Sequence, residues 1–272
     1  MLQAAALVAA VLASPAMAEG PKRVVSMNLC TDQLAMMLAA PGQLVSVTYL
    51  ARDPRLSAMV DEAMAYPVNH GGAEELFLMR PDLVLADEWS PGATVSMLRR
   101  VGIEVVQFSP GTTMDEVRGN ILKMGAVLGR EDQARRLAAD YAAALAPFAG
   151  YDGPRPRAAL YFANGYMAGV NSLSGRIIEA AGFENIAGER GLDYGATVPL
   201  EELVMAAPDL VIVGGREPGQ SRAEEVLGHP ALRGLNLGAD LTDADWTCAT
   251  PHVLKAVARL AGVRRELVEA AP

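Results

Sequence analysis

The first half of the chain alternates short, unbroken apolar runs with stretches of helical periodicity. "RVVSM" (23–27), "LVSVTY" (44–49), "LVLAD" (83–87) and "EVVQF" (104–108) are rich in β-branched residues and continuous or nearly so. Such runs suit strands buried on both faces of a parallel sheet. Between them the pattern predicts helices over 31–39 with Thr31 and Asp32 as caps, over 74–79 before Pro81, and over 93–101 after Pro91-Gly92. Strand and helix in strict alternation predict an α/β lobe.

A further helix is predicted from Met114 to Leu128, and another over 131–148, where "EDQARRLAADYAAALAPF" contains no glycine. At 1.5 Å per residue the latter spans roughly 27 Å. "AGYDGPRPR" (149–157) breaks it with Gly and Pro. The pattern then restarts. A strand is predicted at 158–162, helices near 174–181 and 199–206, a strand at 210–215, then loops and a last helix from about Pro251 to Glu269. The fold class is α/β: two lobes with central, mostly parallel sheets, joined by one long helix, with a ligand cleft between them. The expected divisions are an export signal at 1–18, an N-terminal lobe at 19–130, the linking helix at 131–150 and a C-terminal lobe at 151–272.

One element is written twice. "AEELFLMRPDLVLAD" (73–87) and "LEELVMAAPDLVIVG" (200–214) share EEL and PDLV at a constant offset of 127 residues, Glu74 to Glu201 and Asp82 to Asp209. In both, Pro stops a helix and an apolar run continues as a buried strand. Both helices open with two glutamates, where the positive end of the helix dipole favours carboxylates.

Composition narrows the function classes. A chain with 51% hydrophobic and 20% charged residues is globular rather than disordered. Its net charge of −9 argues against nucleic acid or anionic lipid as the main partner. The leading "LQAAALVAAVLASPAMA" has an apolar run over Leu2–Leu12, a breaker at Pro15 and a small-x-small site at Ala16-Met17-Ala18. It reads as an export signal cleaved after Ala18, too short to span a bilayer, and predicts a periplasmic location. No GxSxG, HExxH, P-loop or dinucleotide fingerprint occurs, so no enzyme class is indicated.

"RVVSMN" at 23–28, the two EEL–PDLV elements, the helical linker and "DADWTCATPHVL" (243–254) together resemble the helical-backbone class of periplasmic substrate-binding proteins of ABC importers. That class includes cobalamin and ferric-siderophore binders. The resemblance implies a monomeric, non-catalytic carrier with no permanently bound cofactor. It would capture a metal-chelate nutrient, ferric siderophore or cobalamin, and deliver it to a permease. It also implies that one glutamate per lobe, seven residues before the Pro of PDLV, docks into arginine pockets of that permease; these are Glu74 and Glu201. The residues alone leave open that these are ordinary helix-start glutamates.

In parallel α/β lobes, ligands meet the loops at the carboxyl ends of the strands. Those loops are 28–32, 49–54 and 68–72 in the first half, and 162–169, 191–196 and 243–251 in the second. Aromatic content is only 5%, yet Tyr49, Tyr166, Tyr194 and Trp246 all fall there. They are candidates to flank a large planar ligand such as a corrin or a catecholate siderophore. Trp246 has a second reading, packing beneath its loop as core. Cys30, His70 and Cys248 also map to these loops, and three readings stay open. They ligate a metal, as soft to borderline donors suited to zinc, copper, haem iron or the metal of a chelate. The two cysteines form a disulfide across the cleft. Or none has special chemistry. Two alternatives to the chelate carrier follow: a free metal-ion or haem binder using Cys30, His70 and Cys248, and an exported α/β enzyme.

Overall fold

The computed structural model describes residues 20–214, 221–238 and 242–270. The export signal and its cleavage after Ala18 lie outside the described residues. Among the described residues, no helix is long and apolar enough to cross a membrane.

The first sheet contains β1 (Val24–Ser26), β2 (Leu44–Thr48), β3 (Val68–Asn69), β4 (Leu83–Asp87) and β5 (Glu104–Phe108). Its order is β3-β2-β1-β4-β5 and every pairing is parallel. All residues of the central strands β1 and β4 are buried, as their continuous apolar runs require. The connecting helices are α1 (Leu29–Leu38), α2 (Val60–Ala63), α3 (Ala73–Leu78) and α4 (Gly92–Arg100). The cap of α1 differs from expectation. Asn28 caps it, accepting from the Cys30 and Thr31 amides, while Thr31 and Asp32 lie inside the helix and are buried. Thr31 turns its hydroxyl back to the Asn28 carbonyl, and Asp32 reaches Thr48.

α5 (Met114–Leu128) opens with a capping box between Thr113 and Glu116 and closes at Gly129 in the left-handed region. α6 (Glu131–Leu145) folds back against it. Gly125 permits that contact, because a Cβ there would collide with Ala134. α6 and the single turn Ala146–Phe148 carry the chain to the second sheet.

The second sheet contains β6 (Arg157–Tyr161), β7 (Tyr166–Ala168), β8 (Glu184–Asn185), β9 (Gly195–Thr197), β10 (Leu210–Val213) and β11 (Leu237–Gly238). Its order is β11-β10-β6-β7-β9, with β8 also pairing β6. The β6 pairings with β8 and β10, and the β10–β11 pairing, are parallel; β7 is antiparallel to both β6 and β9. α7 (Leu173–Ala180), α8 (Leu200–Ala206) and α9 (Val253–Ala270) complete the lobe. One buried cluster runs through both lobes, including Leu34, Leu85, Ile121, Phe183, Trp246 and Val257.

The doubled EEL–PDLV sequence is matched by doubled geometry. Asp82 accepts from the Lys22 and Arg23 amides at 2.7 and 2.9 Å, and Asp209 accepts from the Arg157 amide at 2.7 Å. Each Asp thus ties its own strand to the strand beside it. Arg23 in turn donates to the carbonyls of Met79 and Arg80, and Arg157 donates to those of Ala206 and Ala207. These arginines satisfy carbonyls at and just past the ends of α3 and α8, which no helical amide reaches. Arg80 (φ 50°) and Ala207 (φ 42°) are both left-handed non-glycine residues preceding the Pro. That strain costs about 1–3 kcal/mol at each site, and the arginine clamps hold it in place.

Candidate functional site

A cavity of about 480 Å³ opens between the lobes. Pro54, Arg55 and Leu56 line it from the first lobe, and Phe162, Asp243 and Trp246 from the second. All these residues lie on loops or turns beyond the carboxyl ends of strands or the segment that follows β11. A larger hollow of about 810 Å³ lies apart from these loops, between the start of α5, the end of α6 and α7.

The first-lobe candidates form a compact unit. Tyr49 follows β2, and His70 follows the neighbouring β3. Their rings stack with centroids 5.1 Å apart and planes at 23°. Glu75, on α3, accepts from the His70 amide at 2.8 Å and lies 3.3 Å from its ring Nδ1. Burial pushes the Glu75 carboxyl up, but the hydrogen bonds from His70 and the Gly72 amide outweigh it, so its pKa falls below the ordinary value. The His70 ring is thereby held on both its face and its Nδ1 edge.

The second-lobe candidates cluster on β7 and its neighbours. The Tyr166 hydroxyl donates to the Tyr194 carbonyl at 3.0 Å, and the Phe162 and Tyr166 ring centroids are 6.3 Å apart. Tyr194 is largely exposed. Trp246 is only 7% exposed and belongs to the core cluster, with an edge on the cavity. Its burial is that of the core-packing reading.

Trp89 was missed by the sequence reasoning. It sits in the turn directly after β4 and is 77% exposed. The available signal was positional: "ADEWSPG" follows a buried strand at its carboxyl end, as the loops bearing Tyr49 and His70 do. β2 and β4 flank β1, so Tyr49 and Trp89 stand on either side of the central strand.

Cys30 and Cys248 form a disulfide with a Cα separation of 5.2 Å. This corrects the metal-ligand reading of Cys30, His70 and Cys248: both sulfurs are consumed in the S–S bond and no thiolate remains. Cys248 is also buried. Among the described residues, no group of three or more His, Cys, Asp or Glu is placed to hold a metal ion. The disulfide joins α1 of the first lobe to the segment before α9. Beside it, Gly111 packs so closely that a Cβ there would lie 2.5 Å from that of Ala249. The Thr250 hydroxyl donates to Gln33 Oε1 at 3.2 Å. Residues 248–250 are therefore fastened to the first lobe.

Beneath this joint lies Asp32, fully buried in α1. Burial raises its pKa to about 7, against the hydrogen bonds from Ser26 and Thr48 that lower it. Its Oδ2 accepts from the Thr48 amide and hydroxyl at 3.1 and 2.5 Å, while Oδ1 has no partner among the described residues. Arg52, a loop charge near the cleft, is taken up by the carbonyls of Ala63 and Tyr66.

The two glutamate pairs divide alike. The second member of each is tied inward, Glu75 to His70 and Glu202 to Arg190, which forms an ion pair with its carboxylate and donates to its carbonyl at 2.9 Å. The first members, Glu74 and Glu201, are exposed and make no hydrogen bond or ion pair with any described residue.

Two α/β lobes whose strand-end loops meet across a cavity define a two-lobed binding protein. Residues 24–238 match the periplasmic binding protein family, and the chain belongs to that family. A cobalamin-binding protein of Halobacterium salinarum is 32% identical over 203 residues, covering 71% of this chain and 54% of that protein. The chain thus spans about half the length of that curated relative. Among solved structures, a periplasmic haem-binding protein from Pseudomonas aeruginosa is 20% identical with a TM-score of 0.74, covering 93% of this chain and 94% of that one. The periplasmic vitamin B12 binding protein of Vibrio cholerae is 17% identical with a TM-score of 0.69, covering 92% and 98%. At these identities the likeness is one of fold. The family consists of substrate-binding proteins, so the chain is not an enzyme, and the exported-enzyme alternative is set aside.

Proposed function

We propose that this protein is the periplasmic substrate-binding component of an ABC importer, holding a metal-chelate nutrient between its lobes. The carrying observation is the cavity lined from both lobes, where Phe162 and Trp246 supply its aromatic surface; Tyr49, His70 and Trp89 stand at the strand ends of the first lobe, and Tyr166 and Tyr194 on the second, outside that lining. Aromatic faces arranged in this way suit a large planar or aromatic chelate, a corrinoid or a ferric catecholate. Similarity to a cobalamin-binding protein over 203 residues favours the corrinoid. The lobes at 19–130 and 151–272 close on the ligand, and the linking helix at 131–150 limits their hinge. An oxidising compartment is where a disulfide such as Cys30–Cys248 persists, which supports the periplasmic location. Glu74 and Glu201 dock the loaded protein to arginines of the permease.

Titration of the purified protein with cyanocobalamin, a ferric catecholate, haem and divalent metal salts, followed by tryptophan fluorescence, tests the ligand class. Binding of one chelate with a Kd below about 10 μM, and none of the bare metals, is the expected result. Absence of any chelate binding at that level overturns the reading. Docking is tested separately: Glu74→Ala with Glu201→Ala abolishes uptake while leaving chelate affinity intact.

A further inference from the structure

We infer that the protein offers its partner two copies of one contact element, and that each copy sets an apolar side chain beside the docking carboxylate. This rests on the docking reading of Glu74 and Glu201 and adds a second kind of contact to it. Leu78 follows Glu74 by one helical turn on α3, and Met205 follows Glu201 by one turn on α8. Residues four apart share a helix face. Leu78 is 69% exposed and Met205 77% exposed. Isolated apolar residues on a surface need no explanation. These two are different, because they occupy equivalent positions of the repeat and each lies a turn from an equivalent, unpaired carboxylate.

The two elements are alike in shape as well as sequence. Arg23 clamps the end of α3 as Arg157 clamps the end of α8, and the left-handed residues Arg80 and Ala207 follow at the same register. Each short helix is thus fixed to its sheet by the same set of contacts. A single chain carrying the same rigid element twice fits a partner with two equivalent halves. The partner committed to here is a two-fold permease in the membrane. Each half would present a guanidinium for the glutamate and, one helical turn away, an apolar socket. Leu and Met are close in volume and exchange readily in apolar sites, so one socket shape accepts both.

The test is the affinity of the chain for the purified permease of its source organism in lipid nanodiscs, measured by biolayer interferometry. Leu78→Gln and Met205→Gln are each expected to weaken binding on the order of tenfold, as loss of a buried apolar side chain implies. Chelate titration and thermal melting should be unchanged in both. If Glu74→Ala/Glu201→Ala leaves the affinity unchanged, or the wild-type chain does not bind the permease, the underlying docking reading fails. If the glutamate variant weakens binding but neither glutamine variant does, the apolar contact is refuted and docking stands. If only one glutamine variant has an effect, the two-fold equivalence is refuted.

Discussion

Removing the disulfide by Cys30→Ala with Cys248→Ala should loosen the protein without altering its cleft residues. The bond links positions 218 residues apart. In the chain-entropy account, a closed loop of that size restricts the unfolded chain by about 5 kcal/mol at 25 °C, at the upper end of the range measured for disulfides. Ala at position 248 avoids placing an unpaired hydroxyl in a buried site. The packing of Gly111 on Ala249 and the Gln33–Thr250 hydrogen bond remain, so residues 248–250 keep their contacts with the first lobe. A loss of about 5 kcal/mol corresponds to a fall on the order of 10 °C in Tm for a chain of this size. Thermal melting by circular dichroism should compare the oxidised wild type, the reduced wild type and the double variant. Reduced protein and variant are expected to melt together, well below the oxidised protein. A variant that melts within about 1–2 °C of the oxidised wild type would refute the claim that this bond stabilises the lobe joint.

Gly111→Ala tests the same joint from the other side; the Cβ clash with Ala249 and the φ of +72° should lower Tm markedly, with only partial rescue by Ala249→Gly. Trp89→Ala should weaken chelate binding about tenfold with no change in melting. Trp246→Ala, by contrast, should cost about 3–5 kcal/mol of stability, and equal melting of the two would overturn the assignment of one to the surface and the other to the core. Asp32 supplies a pH test. Its folded pKa of about 7 lies above the ordinary 3.8, so between those values the folded protein holds a proton that the unfolded chain releases. This contribution to stability is present at low pH and is lost as pH rises through 7. Asp32→Asn should therefore gain on the wild type in Tm as pH rises from about 4 to 7, and a pH-independent difference would refute the raised pKa.

The long elements were legible because periodicity and burial agree in them. The strands at 83–87 and 104–108 and the helix from Met114 to Leu128 fall where the pattern predicts. The short elements carried no such signal. β3 is two residues long, and β7 and β9 are three each. With a strand period of two residues, a run that short does not repeat the alternation and looks like loop in the sequence. Their strand character comes from neighbours already in place, β2 for β3 and β6 for β7. Loop position in the sequence puts Tyr49, His70, Tyr166 and Tyr194 near the strand ends, and the structure has them there but outside the cavity lining; Trp89 follows β4 in the same way. The disulfide between Cys30 and Cys248 is one of the three readings the sequence leaves open, and nothing local selects it, because it depends on how α1 and the segment before α9 meet. The division of labour within each glutamate pair was likewise hidden, since His70 and Arg190 are set by loop geometry.

The twin clamps have a consequence for engineering. Arg23 with Asp82 and Arg157 with Asp209 hold the helix-to-strand element almost wholly through backbone groups, which every residue type supplies. The stretch between clamp points is then a cassette. Grafting residues 201–207 in place of 74–80 keeps the leading glutamate, the apolar residue a turn later and the left-handed exit. It also keeps a glutamate at position 75 for His70. Such a chimera should fold, and would give a carrier whose two ends are chemically the same.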